Sequence, residues 1–211
     1  MIDVRFLKWF PPNDEFAAMM ARLCILREDL IFEQQSAIES KHTPETDEYG
    51  YEWRLMYFFR KISITLSEIL STIDGLSKDK NFKIFLAKKS ANFKNEFDQL
   101  KKNLNSAKVT IREIRGNVGG AHIHQKSVED ALRNMAPERS GVLQVSPQTP
   151  TKTHYKFTNG LLLTLMVRDV SGEQEEIKMK KIINQILDVL KKLLPRIDLL
   201  FSKYAKDRDL L

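Results

Sequence analysis

Two residues whose types can act together on a phosphodiester stand seven positions apart near the middle of the chain, Arg115 and His122. The stretch 111–124 that holds them reads Ile-Arg-Glu-Ile-Arg-Gly-Asn-Val-Gly-Gly-Ala-His-Ile-His. An imidazole titrates near neutrality and can take or give a proton. A guanidinium is a fixed cation whose planar donors can neutralise charge developing on phosphorus. Gly116, Gly119 and Gly120 lie between the two, in a chain of only 8 glycines and 4 histidines. On a continuous helix, seven residues turn through about 700° and rise about 10.5 Å, so Arg115 and His122 would share a face. Arg112 lies one turn earlier on the same side, and Gly119 leaves a bare notch between the guanidinium and the imidazole. Each glycine in a helix interior costs about 1 kcal/mol against Ala, so their retention needs a reason.

Four readings of the stretch compete. The glycines end the helix and leave His122 and His124 in the following turn, or they let another helix approach closely. Alternatively they form a cradle of backbone N–H groups for phosphate, although no strand precedes them and the lysine-plus-hydroxyl ending of a P-loop is absent. In the fourth reading, Arg115 and His122 hold a phosphodiester. His124 can share or replace the role of His122, but two residues apart on a helix they point to different sides.

The elements that must position these residues are helices. Asn13 or Asp14 can cap a helix that runs to about Ser40, with Phe16, Met19, Leu23, Leu26 and Leu30 on one face. Pro11-Pro12 before it marks a stop, and His42, Thr43 and Pro44 break it. A second helix begins near Asp47, carries Leu55, Phe59, Ile62, Leu66, Ile69 and Ile73, and stops at Asp74-Gly75. Phe82, Phe85 and Leu86 fit a turn or two of helix. From Ser90 the row Phe93, Phe97, Leu100, Leu104, Ala107, Ile111, Ile114 and Val118 keeps the same spacing and delivers the motif at its end. Ser127 with Asp130 resembles a capping box for a short helix over 128–135. Residues 136–157 change character and read as an insertion, a β-hairpin near 141–157 or an ordered loop. Thr158 or Asn159 can cap a short apolar helix to about Asp169. The last helix carries Met179, Ile183, Ile186, Leu190, Leu193, Ile197, Leu200 and Tyr204, with Pro195 expected to kink it or end it early. The expected architecture is all-α, a single domain over 1–211 built as a bundle of four long helices plus short ones.

Composition bounds the rest. Hydrophobic content is 42%, ordinary for a globular chain able to bury a core. The apolar runs fall far short of the roughly 20 residues that span a bilayer, and residues 1–10 lack the apolar centre of a signal peptide. The single cysteine, Cys24, excludes an intrachain disulfide, reads as buried and inert, and fits the cytoplasm. No cluster of His, Asp and Glu has metal-ligand spacing, and His42 and His154 read as exposed loop residues. Trp9, Tyr49, Tyr51 and Trp53 can stack on bases, but core or interface packing is the favoured reading of all four. Residues 11–75 carry 6 basic and 12 acidic side chains, whereas residues 78–115 carry 11 basic and 4 acidic ones. A polyanion partner is one reading of that basic block, and an acidic helix lying beside a basic one is the other.

An arginine, six intervening residues and a histidine, near the end of a long helix in an all-α bundle, resemble the motif of the HEPN superfamily. The local text Ile-Arg-x-x-x-x-x-Ala-His is similar to its common form. The resemblance implies a metal-independent endoribonuclease without cofactor, of a toxin–antitoxin or antiviral type, in which two motifs meet across a homodimer. RNA and an antitoxin protein would be its partners. It assigns Arg115 and His122 as the catalytic pair; the neighbouring Arg112, Asn117, Gly119 and His124 are the candidates for supporting or RNA-binding places around them. The basic residues of 78–102 would hold the backbone. Some members of the superfamily bind without cleaving. A reading of a different class is a non-catalytic helical bundle that binds a protein partner or nucleic acid.

Overall fold

In the computed structural model the described residues are 6–38, 44–118, 125–133, 162, 164–165 and 173–208. They are all-α: α1 (Phe6–Trp9), α2 (Glu15–Ile38), α3 (Pro44–Lys78), α4 (Lys80–Ala87), α5 (Ala91–Ser106), α6 (Lys108–Val118), α7 (Gln125–Arg133) and α8 (Glu173–Asp207). No strand occurs among the described residues. The expected hairpin near 141–157, within the insertion 136–157, lies outside them, as do His42 and His154.

The chain divides into two compact units, one formed by Met1–Phe32, Thr65–Val109 and Gln185–Leu211, the other by Glu33–Ile64 and Thr110–Asn184. In the first, α2 and α8 run antiparallel, since Asp14 pairs with Arg208 while Arg27 pairs with Asp198. The same argument makes α5 antiparallel to α8, through Glu96 with Arg196 and Ser106 with Gln185. An aromatic cluster closes one end of this unit. The Phe16 ring lies 5.4 Å from Phe82, 5.3 Å from Phe85 and 5.2 Å from Tyr204. Tyr204 is fully buried and donates its hydroxyl to the Trp9 carbonyl, and burial pushes its pKa up to about 12. Phe6–Trp9, just before Pro11-Pro12, form one helical turn, α1, whose Trp9 packs with Ala205, Phe10 and Phe201.

Caps explain where these helices start. Asp14 accepts the Ala17 N–H at 3.1 Å, which caps α2. Burial would raise its carboxyl, but hydrogen bonds from Arg208 and from the Ala17 N–H outweigh that and hold it below the ordinary value. Asp79 caps α4 and Ser90 caps α5 in the same way, accepting from Phe82 and Phe93. Pro44 stands at the first position of α3, where its missing N–H is harmless, so that helix starts earlier than Asp47.

Several expectations are corrected. Gly75 does not stop α3, which runs on to Lys78. A Cβ there would stand 3.1 Å from the Met19 sulfur, so the missing side chain serves the approach of α2 rather than a helix end. Pro195 does not end α8, which continues to Asp207. Ser127 and Asp130 fall inside α7, which begins at Gln125. In α2 the buried row is Phe16, Met20, Leu23 and Leu30, not the row through Met19 and Leu26. Arg27 completes that row and holds Asp198 through two hydrogen bonds, of 2.8 and 3.2 Å. The long third helix is broken at Ala107, whose N–H bonds back only three residues to Leu104. Two side chains meet the disturbed ladder: the Ser106 hydroxyl donates to Asn103 O at 2.7 Å, and Gln185 Nε2 donates to Ser106 O at 2.9 Å.

In the second unit, Ile114, Leu162, Leu165, Met179 and Ile182 form a buried cluster. Trp53, Met56, Phe59 and Val128 pack against it. Leu162, Thr164 and Leu165 are helical and buried, in line with the short apolar helix expected there. Leu55, expected on the buried face of α3, is exposed instead. Ser63 is buried and satisfied by its own helix, donating to Phe59 O at 2.9 Å.

Candidate functional site

The phase of α6 is set by its two isoleucines. Ile111 and Ile114 are buried, the latter in the cluster with Leu162, Leu165, Met179 and Ile182. Three residues apart, they take the inner side of a short helix and leave Arg112, Glu113, Arg115 and Gly116 exposed on the other. Arg112 and Arg115 are one turn apart, about 4.5 Å along the axis. Arg115 is also the basic residue in the last turn of α6, where a cation suits the negative end of the helix dipole.

Gly116 follows Arg115 within the helix, and a Cβ built there would meet nothing within 4 Å. Close packing of another element in this chain therefore does not explain this glycine among the described residues. Asn117 belongs to the α6 backbone, and its side chain lies outside the described residues, as do Gly119, His122 and His124 altogether. The structure thus places the arginine half of the motif on an open helix face.

The other sequence candidates fall mostly into packing roles. Trp9 is buried in the first unit, and Trp53 is half-buried against the cluster of the second. Tyr51 is half-buried, while the Tyr49 side chain lies outside the described residues. Cys24 is half-buried, and burial raises its thiol to about 11, well above the range of a reactive thiolate. Among the described residues no group of three His, Cys, Asp or Glu side chains comes together. No helix of the described residues is long and apolar enough to cross a membrane.

One cationic group was not singled out from the sequence. Residues 53–67 carry Arg54, Arg60 and Lys61 and no acid, inside the otherwise acidic stretch 11–75. Arg54 donates to Ser36 O at 3.3 Å and lies 5.8 Å from the Phe58 ring centre. Lys61 stands 5.8 Å from the half-exposed Tyr57 ring. Arg60 is half-buried, and desolvation lowers its pKa from the ordinary arginine value. The signal was the local lack of acids, hidden by the net charge of the longer segment.

Comparison of the chain with family models, with curated proteins and with solved structures gives no match.

Proposed function

We propose that the chain is a HEPN-like, metal-independent endoribonuclease that works as a homodimer in the cytoplasm, in a toxin–antitoxin or antiviral setting. In this reading the four long helices α2, α3, α5–α6 and α8 form one bundle, and α6 carries the motif. His122 takes the proton of a ribose 2′-hydroxyl as that oxygen attacks the adjacent phosphorus. The bond from phosphorus to the 5′-oxygen breaks, and the departing oxygen receives a proton from the acid partner, the His122 of the second motif. A 2′,3′-cyclic phosphate and a 5′-hydroxyl result, and no redox step or metal is involved. Arg115 neutralises the charge that develops on phosphorus, and Arg112 holds a neighbouring phosphate. Asn117, Gly119 and His124 support this arrangement.

The observation that carries the reading is the outward face of α6. Arg112 and Arg115 are exposed one turn apart, beside a glycine whose Cβ would meet nothing within 4 Å among the described residues. The competing reading is a non-catalytic bundle that binds a protein partner or nucleic acid. It is favoured by Gly116 itself, because the family commonly carries a polar residue directly after the arginine. An RNA-cleavage assay in EDTA, with wild type, Arg115→Ala and His122→Ala, separates the two. Loss of cleavage in both variants, with helicity and dimerisation intact, is the expected result. A wild type that cleaves no RNA, or a His122→Ala variant that cleaves equally well, ends the catalytic reading.

A further inference from the structure

The basic block has a face that its own acids do not neutralise. α4 turns Phe82 and Phe85 inward and leaves Lys80, Lys83, Ile84 and the capping Lys88 exposed. Lys78, immediately before it, is exposed as well. Of the acids in the block, Asp79 turns its carboxylate to the Phe82 N–H at 2.6 Å, and Glu96 faces Arg196 at 3.0 Å. Asp207 takes Lys89, and Asp74 takes Lys108. Lys78, Lys80, Lys83 and Lys88 pair with no carboxylate among the described residues. The arrangement of acidic helix against basic helix therefore does not account for these four. Like charges held close on a short helix repel one another, and an external polyanion relieves that repulsion.

We infer that this face of α4 docks the phosphate backbone of a nucleic acid duplex, by charge and without reading sequence. Three features select that occupant. Lys80 and Lys88 lie about 12 Å apart along the helix, and a duplex offers a charge about every 1.7 Å, so each lysine finds a phosphate. Ile84 is the single large apolar side chain the face exposes, too little to anchor in a bilayer or to form the apolar centre of a protein interface. The face exposes no aromatic ring, and rings on which bases stack are what single-strand surfaces add to positive charge. This inference does not rest on Arg115 and His122, because docking requires no cleavage.

The test is fluorescence anisotropy of a short labelled duplex of mixed sequence, titrated with protein over a range of salt. The three lysines of α4 and its C-cap, Lys80, Lys83 and Lys88, give three phosphate contacts and a slope of log affinity against log salt of about −2.7. Lys80→Gln with Lys83→Gln should make that slope shallower by about 1.8 and weaken binding about 50-fold near 0.1 M salt. Both residues are exposed, and an unchanged thermal melt by circular dichroism verifies that the variant is folded. Lys191→Gln with Lys192→Gln removes the same charge from exposed positions of α8, about 22–24 Å along that helix from the Asp207 that holds Lys89. This control should leave the slope unchanged. DNA and RNA duplexes should bind alike. Equal losses in both variants, tighter binding to single strands, or binding only to phosphatidylserine vesicles would overturn the inference. A protein that binds the duplex but cleaves no RNA would leave it standing and remove only the catalytic reading.

Discussion

Gly75 and Gly116 sit inside helices for different reasons, and replacing each by alanine separates them. Gly116 is exposed in α6, and a Cβ there meets nothing within 4 Å. Alanine at such a site restricts the unfolded chain and favours the helix, by about 0.5–1 kcal/mol. For a chain of this size that is a rise in melting temperature of about 1–4 °C. Gly75 in α3 has the same intrinsic gain available, but its Cβ would come within 3.1 Å of the Met19 sulfur. Extra volume in a packed contact costs about 1–3 kcal/mol, and the flexible thioether can yield part of it. Gly75→Ala is therefore expected to be neutral or to lower stability by up to about 2 kcal/mol. Urea and thermal unfolding followed by circular dichroism, on both variants beside wild type, reads the two effects directly. If Gly75→Ala stabilises as much as Gly116→Ala, the close approach of Met19 is not what holds that glycine. If Gly116→Ala loses 1 kcal/mol or more, the open helical setting assigned to it is wrong.

Three further outcomes are expected. The Asp14 carboxyl titrates below its ordinary value, so its contribution is full above the unfolded pKa near 3.8 and is lost as pH falls through the folded value. Asp14→Asn should therefore lose about 1–2 kcal/mol at neutral pH, and its gap from wild type should close below about pH 4 in urea titrations. A gap that persists in acid would show that the charge contributes nothing. Cys24, with its thiol near 11, should be alkylated by iodoacetamide at a rate still rising about tenfold per pH unit between about pH 7 and 10. A plateau near pH 9 would contradict the effect assigned to burial. Arg27→Met places an apolar side chain in the buried row of α2 and should be neutral or stabilising by up to about 1 kcal/mol, because a partly exposed pair contributes little. A loss above about 2 kcal/mol on urea unfolding would mean that the Asp198 pair, not the row, holds α2 to α8.

The sequence pattern was legible wherever one apolar residue stood alone at each step. The seam from Phe93 through Phe97, Leu100, Leu104, Ala107, Ile111 and Ile114 is buried at each of these residues, and the side chain of its last member, Val118, lies outside the described residues. The pattern misled where two apolar residues are adjacent, because a 3.6-residue period cannot choose between neighbours. Met20 is buried rather than Met19, and Ile182 rather than Ile183. It also misled where a charged residue occupies an inward position: Arg27 hid the row of α2 because its partner, Asp198, is 171 residues away. Gly75 failed for the same non-local reason, since the atom that requires its missing side chain belongs to Met19. At the candidate site, the outward placement of Arg112 and Arg115 followed from the isoleucines beside them. The lack of neighbours at Gly116 did not, because composition does not report what surrounds a residue.

That open space narrows the readings of the motif. A glycine kept for close packing needs a neighbour, and Gly116 has none within this chain among the described residues. It also lies before the end of α6, which continues through Val118, so at this position the glycine does not terminate the helix. In the proposed reading, the missing side chain next to Arg115 lets a second subunit or a substrate backbone come close to the guanidinium. Either requires the arginine to point away from the core, and the buried pair Ile111 and Ile114 enforces that orientation. The catalytic proposal and the reading of binding without cleavage would both use this same face. The two readings differ in whether they need the imidazole of His122, so the His122→Ala variant distinguishes them more sharply than any change to the arginines.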